Sequence, residues 1–78
     1  MDLARLTNMA NQIAKNFAIQ GDDLATTATC QHLQLFWEPR MKAAILSGDR
    51  AGLGPIAAAA CALLEQDQVQ PVPQGEDG

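Results

Sequence analysis

Aromatic residues are scarce in this 78-residue chain, which has two Phe, one Trp and no Tyr. Phe36 and Trp37 are neighbours, and Pro39 follows them closely. Proline disfavours helical geometry in the residue before it and suits the first turn of a helix. We therefore expect one helix to end near Trp37 and another to begin at Pro39, with the two large side chains at the elbow between them. This corner should supply a large share of the burial or of the contact with a partner.

Positive charge is also limited. Five Lys and Arg against nine Asp and Glu give a formal net charge of −4, and the cations are spread from Arg5 to Arg50. Binding to nucleic acid or to an anionic membrane requires clustered cations, so we exclude both as main ligands. The sequence shows no membrane-spanning apolar run and no signal peptide at its start. We expect a cytoplasmic protein.

Cysteine and histidine are too few for a metal centre or a catalytic pair. Cys30 and Cys61 are the only cysteines, and His32 is the only histidine. Cys30 and His32 are two residues apart, which places them on different sides of a helix. We expect both cysteines to be buried free thiols, since bridges are rare in reducing compartments. No catalytic residue, cofactor-binding residue or metal ligand is predicted, so the chain is not expected to be an enzyme.

Hydrophobic periodicity predicts an all-α fold, a small bundle of three to four short helices within residues 1–66. Gly21 is expected to end the first helix, and Asp22 or Asp23 to cap the second. Residues 67–78 are rich in Pro, Gln and acidic residues and should form a disordered tail. The predicted helices cover residues 3–20, 23–37, 39–47 and 55–66.

The second predicted helix has two apolar faces. Leu24, Ala25, Ala28, Leu35 and Phe36 share one region, whereas Cys30, Leu33 and Trp37 point to another. Two faces indicate two neighbours. One is the rest of the bundle; the other is either an external partner or a further helix packed around a central one.

Several phrases of the sequence resemble one family. They are Met9–Phe17 (MANQIAKNF), His32-Leu33, Phe36–Lys42 (FWEPRMK) and Leu53–Pro55 (LGP). In this order and spacing, they resemble the delta subunit of the molybdenum-containing, NAD-dependent formate dehydrogenases. The resemblance implies a noncatalytic accessory subunit of a soluble complex that oxidises formate and reduces NAD. It places the molybdenum cofactor, the iron–sulfur clusters and FMN on the larger subunits.

The resemblance leaves two roles open. The chain either stays in the holoenzyme and stabilises or helps mature the large subunit, or it acts as a transient assembly chaperone. Such a chaperone would bind the immature catalytic subunit or its molybdenum cofactor. In both roles the expected partner is the catalytic alpha subunit.

We predict a partner interface around the elbow. Phe36 is expected to turn inward and Trp37 and Arg40 to lie at least partly at the interface, because the second helix has more apolar surface than one small bundle can cover. Arg40 pairs with Glu38, caps a helix end, or binds a carboxylate or phosphate of the partner. His32 is expected to be a hydrogen-bonded structural residue. The predicted interface residues are Asn11, His32, Leu33, Trp37, Arg40 and Met41.

Overall fold

A computed structural model describes residues 2–69, and every regular element in this range is helical. No strand occurs there, which confirms the predicted all-α fold class. No helix in this range is both long and apolar enough to cross a membrane. The elements in chain order are α1 (Leu3–Phe17), a short 3-10 helix (Ala18–Gln20), α2 (Asp22–Phe36), α3 (Pro39–Ser47) and α4 (Pro55–Val69).

The ends of the helices follow local signals in the sequence. Asp2 caps α1, since its Oδ1 accepts a hydrogen bond of 3.0 Å from the backbone N–H of Ala4. Gly21 has a φ of +97°, a conformation that favours glycine, and it separates the 3-10 helix from α2. The predicted cap was wrong by one residue. Gly21 itself occupies the N-cap, and Asp22 and Asp23 lie in the first turn of α2, where their charges complement the helix dipole.

The elbow lies where Pro39 placed it. Trp37 and Glu38 have extended backbones, and α3 begins at Pro39. Lys42 closes this corner, because its Nζ donates a 3.4 Å hydrogen bond to the carbonyl of Gln34 in the last turn of α2. The start of α3 is therefore fixed against the end of α2.

The packing is organised around α2 and α4, which make the most extensive contact of the bundle. Asp22 and Pro55 line the same cavity, so these two helices begin at the same end of the bundle. Ala57 and Ala60 are fully buried, and such small side chains let the helices approach closely. The other buried members of the core are Leu6, Ala10, Ala14, Cys30, Leu33, Trp37, Ile45, Cys61 and Leu64.

The fourth helix is longer than predicted. It continues to Val69, three residues beyond its expected end near Gln66. Residues 67–69 of the predicted tail are thus helical, and the rest of that tail, residues 70–78, lies outside the described residues.

Candidate protein-interaction surface

A row of apolar side chains lies on the solvent side of α2. Leu24, Leu35 and Phe36 are exposed by 61%, 76% and 70%. Ala28 and Gln31 lie between Leu24 and Leu35 at helical spacing, and Phe36 follows Leu35 as the last residue of the helix. Ala28 is half-buried and Gln31 is exposed. We call these five residues, Leu24, Ala28, Gln31, Leu35 and Phe36, the outer face of α2.

The outer face belongs to a stretch with no Asp, Glu, Lys or Arg. That stretch runs from Leu24 to Trp37, in a chain that has 14 such residues in total. Exposed helix surfaces in soluble proteins normally carry charge, whereas the centres of protein interfaces are depleted of it. The combination of exposure, apolarity and absent charge makes this face the strongest candidate for contact with another protein.

The two aromatics of the elbow lie opposite to their predicted orientation. Trp37 is only 6% exposed, and Phe36 is largely exposed. The backbone N–H of Trp37 still donates to the carbonyl of Leu33 one turn earlier, so Trp37 continues the stripe of Leu33 and Cys30, which faces the core. The sequence pattern separated the two faces correctly except at Ala25, which was grouped with Phe36 but is fully buried, and the choice of which face turns inward was wrong.

His32 lies between two phenyl rings at the edge of the outer face. Its ring centroid is 4.8 Å from that of Phe36 and 6.4 Å from that of Phe17, the latter in an edge-on arrangement. The side chain is half-buried. The structure shows ring contacts in place of the expected hydrogen bond, and these contacts tie the exposed Phe36 to α1 through His32.

Arg40 is free for a partner within the described part of the chain. It is exposed, and it forms no hydrogen bond or ion pair with any of residues 2–69. The alternative that Arg40 pairs with Glu38 is therefore not observed. An exposed guanidinium four residues beyond Phe36 offers a planar set of donors to a carboxylate.

Met41 lines a groove between α1 and the elbow. The groove has a volume of about 390 Å³. Its lining combines apolar side chains with charges of both signs, so it is a second surface feature near the elbow. Its lining residues are Asp2, Arg5, Leu6, Met9, Glu38 and Met41.

Two other predicted interface residues serve the fold of this chain. Leu33 is fully buried in the core. Asn11 holds the glycine-containing connection between α3 and α4: its Nδ2 donates to the carbonyl of Gly52 at 2.9 Å, and its Oδ1 accepts from the N–H of Gly54 at 2.8 Å. Two of the phrases that carry the family resemblance, around Asn11 and around Gly54, are thus joined directly.

The thiols are placed for packing. Cys30 and Cys61 are both buried and form no disulfide within the described residues, as predicted. Burial raises the pKa of the Cys61 thiol, and the nearby Arg50 only partly opposes this effect. Among residues 2–69 no three His, Cys, Asp or Glu side chains come together as metal ligands. These residues do not fit an iron–sulfur cluster, which requires thiolates that converge on one site.

Sequence reasoning missed Leu24, Leu35 and Phe36 as surface residues. The signal that could have found them is the absence of charge between Leu24 and Trp37, because one side of so long a helix is expected to meet solvent.

The comparisons with known proteins give one match. A family model described as NADH-dependent formate dehydrogenase delta subunit FdsD matches residues 5–61, which is most of the chain. Searches of curated proteins and of solved structures return no match. The matched range begins in the first turn of α1 and ends in the middle of α4, so it contains the elbow, the outer face of α2 and the connection held by Asn11.

Proposed function

The chain belongs to the family of NADH-dependent formate dehydrogenase delta subunits, and we propose that it is a noncatalytic accessory subunit which binds the catalytic alpha subunit through the outer face of α2. Leu24, Leu35 and Phe36 would be the apolar anchors of this contact. Arg40, four residues beyond Phe36, would bind a carboxylate at its edge.

The observation that carries this proposal is the exposed, charge-free outer face. Burying a side chain such as Leu or Phe yields roughly 1.5–3 kcal/mol, and the bundle leaves that gain unrealised at three positions of one helix. In a larger assembly, a neighbouring subunit can bury these side chains. Membership of the family implies such an assembly, and the outer face of α2 is the surface that we propose for the contact.

The noncatalytic role is supported by what the described residues contain. Their cysteines are buried, their single histidine packs between phenyl rings, and no ligand cluster forms. The proposal therefore assigns the molybdenum cofactor, the iron–sulfur clusters and FMN to the larger subunits. It also retains a cytoplasmic location, which two free cysteines favour because bridges are rare in reducing compartments.

One observation favours the alternative role of a transient assembly chaperone. The exposed apolar side chains are few, and a contact built on them is small compared with the interfaces of permanent subunits. Small interfaces release their partners readily. A chaperone would use the same face but leave before the enzyme is active.

The test is co-purification with the formate dehydrogenase subunits from cells that express the whole complex. The double variant Leu35→Ala/Phe36→Ala should remain helical, because both side chains are exposed, and should lose at least about tenfold in recovered alpha subunit. The matched control is Gln12→Ala/Asn16→Ala, which alters two exposed residues of α1 and should leave recovery unchanged.

The composition of the recovered complex distinguishes the two roles. An accessory subunit is present in a fixed ratio in the active, molybdenum-loaded enzyme. A chaperone is recovered only with alpha subunit that lacks molybdenum. A folded double variant that recovers the alpha subunit as well as the unmodified chain does would refute the assignment of the outer face.

A further inference from the structure

Four residues of the outer face of α2, all except Phe36, have a spacing that reads the same in both directions. Leu24, Ala28, Gln31 and Leu35 follow one another at steps of four, three and four residues, which places them in one line along the helix. Two copies of such a line match when one is turned end for end. Centred between Ala28 and Gln31, the reversed line puts each Leu24 against Leu35 of the second copy.

We propose that the chain, before it meets its partner subunit, pairs with a second copy of itself through this line, with the two α2 helices antiparallel about a two-fold axis. A two-fold contact uses the same patch on both copies, so the patch has to be complementary to itself. A line that is apolar except for Gln31, with a reversible spacing, meets this requirement. At its centre each Ala28 faces Gln31 of the other copy, so a small side chain lies opposite the one large polar side chain of the line.

The charges around the line favour the antiparallel arrangement. With a net charge of −4, two copies repel each other in general, but no Asp, Glu, Lys or Arg occurs from Leu24 to Trp37. Asp22 and Asp23 stand just before the line and Arg40 stands just beyond it. Within residues 2–69, none of these three forms a side-chain hydrogen bond or ion pair. In antiparallel copies the acidic end of one helix lies near Arg40 of the other, whereas in parallel copies the acidic ends would repel.

The contact is small, which fits a temporary role. The line covers about three helical turns, roughly 16 Å. A contact between two helices of this length buries less surface than the roughly 1,200 Å² of a stable dimer. The pair should form only at high concentration and should yield to a larger partner surface. That last statement rests on the proposed function; the pairing itself does not.

The experiment is sedimentation equilibrium of the full chain alone, in a concentration series that reaches about 1 mM. The average mass should rise towards twice that of one chain. Leu24→Glu and Leu35→Lys should each weaken pairing by at least about tenfold, because each buries a charge against leucine. An equal mixture of the two variants should recover most of the pairing, since the introduced glutamate of one copy would then meet the introduced lysine of the other.

Ala59→Lys is the matched control, because it adds a charge at an exposed position of α4 and should leave pairing unchanged. Circular dichroism establishes that each variant is folded. A chain that stays monomeric throughout the series overturns the proposal, as does pairing that survives both single variants. Single variants that lose pairing but do not recover it in the mixture overturn the antiparallel arrangement. These outcomes are independent of co-purification with the alpha subunit, so the two proposals fail separately.

Discussion

Helices α1 and α2 have the same length, 15 residues, but they differ in how much of their apolar surface the bundle buries. α1 buries Leu6, Ala10 and Ala14 on one side and exposes mostly polar residues on the other. α2 also buries one side, but its outer face is apolar and free of charge. Met9, at 37%, is the one large apolar side chain that α1 exposes, whereas the outer face of α2 has three that are exposed by 61–76%. The surplus on α2 is what a partner can use.

The difference extends to polar contacts. α1 sends Asn11 to the connection before α4, where both ends of its amide are hydrogen-bonded. α2 instead buries Thr29, whose hydroxyl has no hydrogen-bond partner among the described residues. The polar side chain of Asn11 is thus satisfied within the bundle. On α2, by contrast, a polar group is buried and large apolar side chains are exposed.

The largest expected effect separates the inner side of α2 from its outer face. Trp37→Ala removes a buried indole and should lower the free energy of unfolding by roughly 3–5 kcal/mol, which is enough to unfold most of so small a domain. Phe36→Ala, at an exposed position, should change it by less than about 0.5 kcal/mol. Urea unfolding followed by circular dichroism measures both.

The same pair of variants also tests the comparison itself. Equal losses of stability in the two variants would show that Phe36 is part of the core and that α2 has no spare face. A Trp37→Ala variant as stable as the unmodified chain would show that the inner side of α2 does not depend on this buried indole.

The next effect concerns the fit of α1. Asn11→Ala removes two hydrogen bonds and leaves the half-buried N–H of Gly54 without its acceptor, so we expect a loss of about 1–2 kcal/mol in the free energy of unfolding. Asn8→Ala, at an exposed position on the same helix, is the control and should have no effect. If both variants match the unmodified chain, the connection before α4 does not depend on α1.

The sequence predicted the elements of this fold well. Pro39 restricts the backbone around it, and Gly21 and Gly48 stand directly after helical segments, so helix ends could be placed within a few residues. The inward and outward sides of α2 could not be predicted, because both are apolar. The position of α4 decides between them. Its buried Ala57 and Ala60 belong to the same core cluster as Cys30 and Leu33 of α2.

The site was less predictable than the fold, for a related reason. Asn11 was predicted as an interface residue, yet its amide is hydrogen-bonded to a connection more than 40 residues away. Such a contact leaves no periodic pattern in the sequence. Arg40 was predicted correctly as an exposed residue, because a position next to the elbow and off the apolar face of α3 is a local property.

A smaller effect, of opposite sign, is expected on the inner side of α2. Thr29→Val replaces a buried hydroxyl that lacks a partner by a methyl group of similar size, so the free energy of unfolding should rise by about 1 kcal/mol. Thr27→Val, on the exposed side of the same helix, should leave it unchanged. A loss of stability in Thr29→Val would mean that the hydroxyl is hydrogen-bonded, for example to a buried water, and that the inner side of α2 is not dry.

The smallest expected effect is a loss of stability at alkaline pH. It tests whether water is excluded from Cys61, a buried residue of α4. Burial raises the pKa of Cys61 in the folded chain above that of the unfolded chain. At neutral pH both states hold the proton, and the thiol contributes no pH dependence. Above roughly pH 8.5 the unfolded chain loses the proton first, so stability should fall as the pH rises towards the folded-state pKa. Because Arg50 partly offsets burial, the slope should be shallow.

Urea unfolding at neutral and alkaline pH should show this slope, and Cys61→Ala is the variant that isolates it. The substitution should flatten the slope relative to the unmodified chain, while both proteins keep the titration of their lysines. An equal slope in the two proteins would mean that water reaches Cys61, and then the contact between α2 and α4 is looser than its buried alanines indicate.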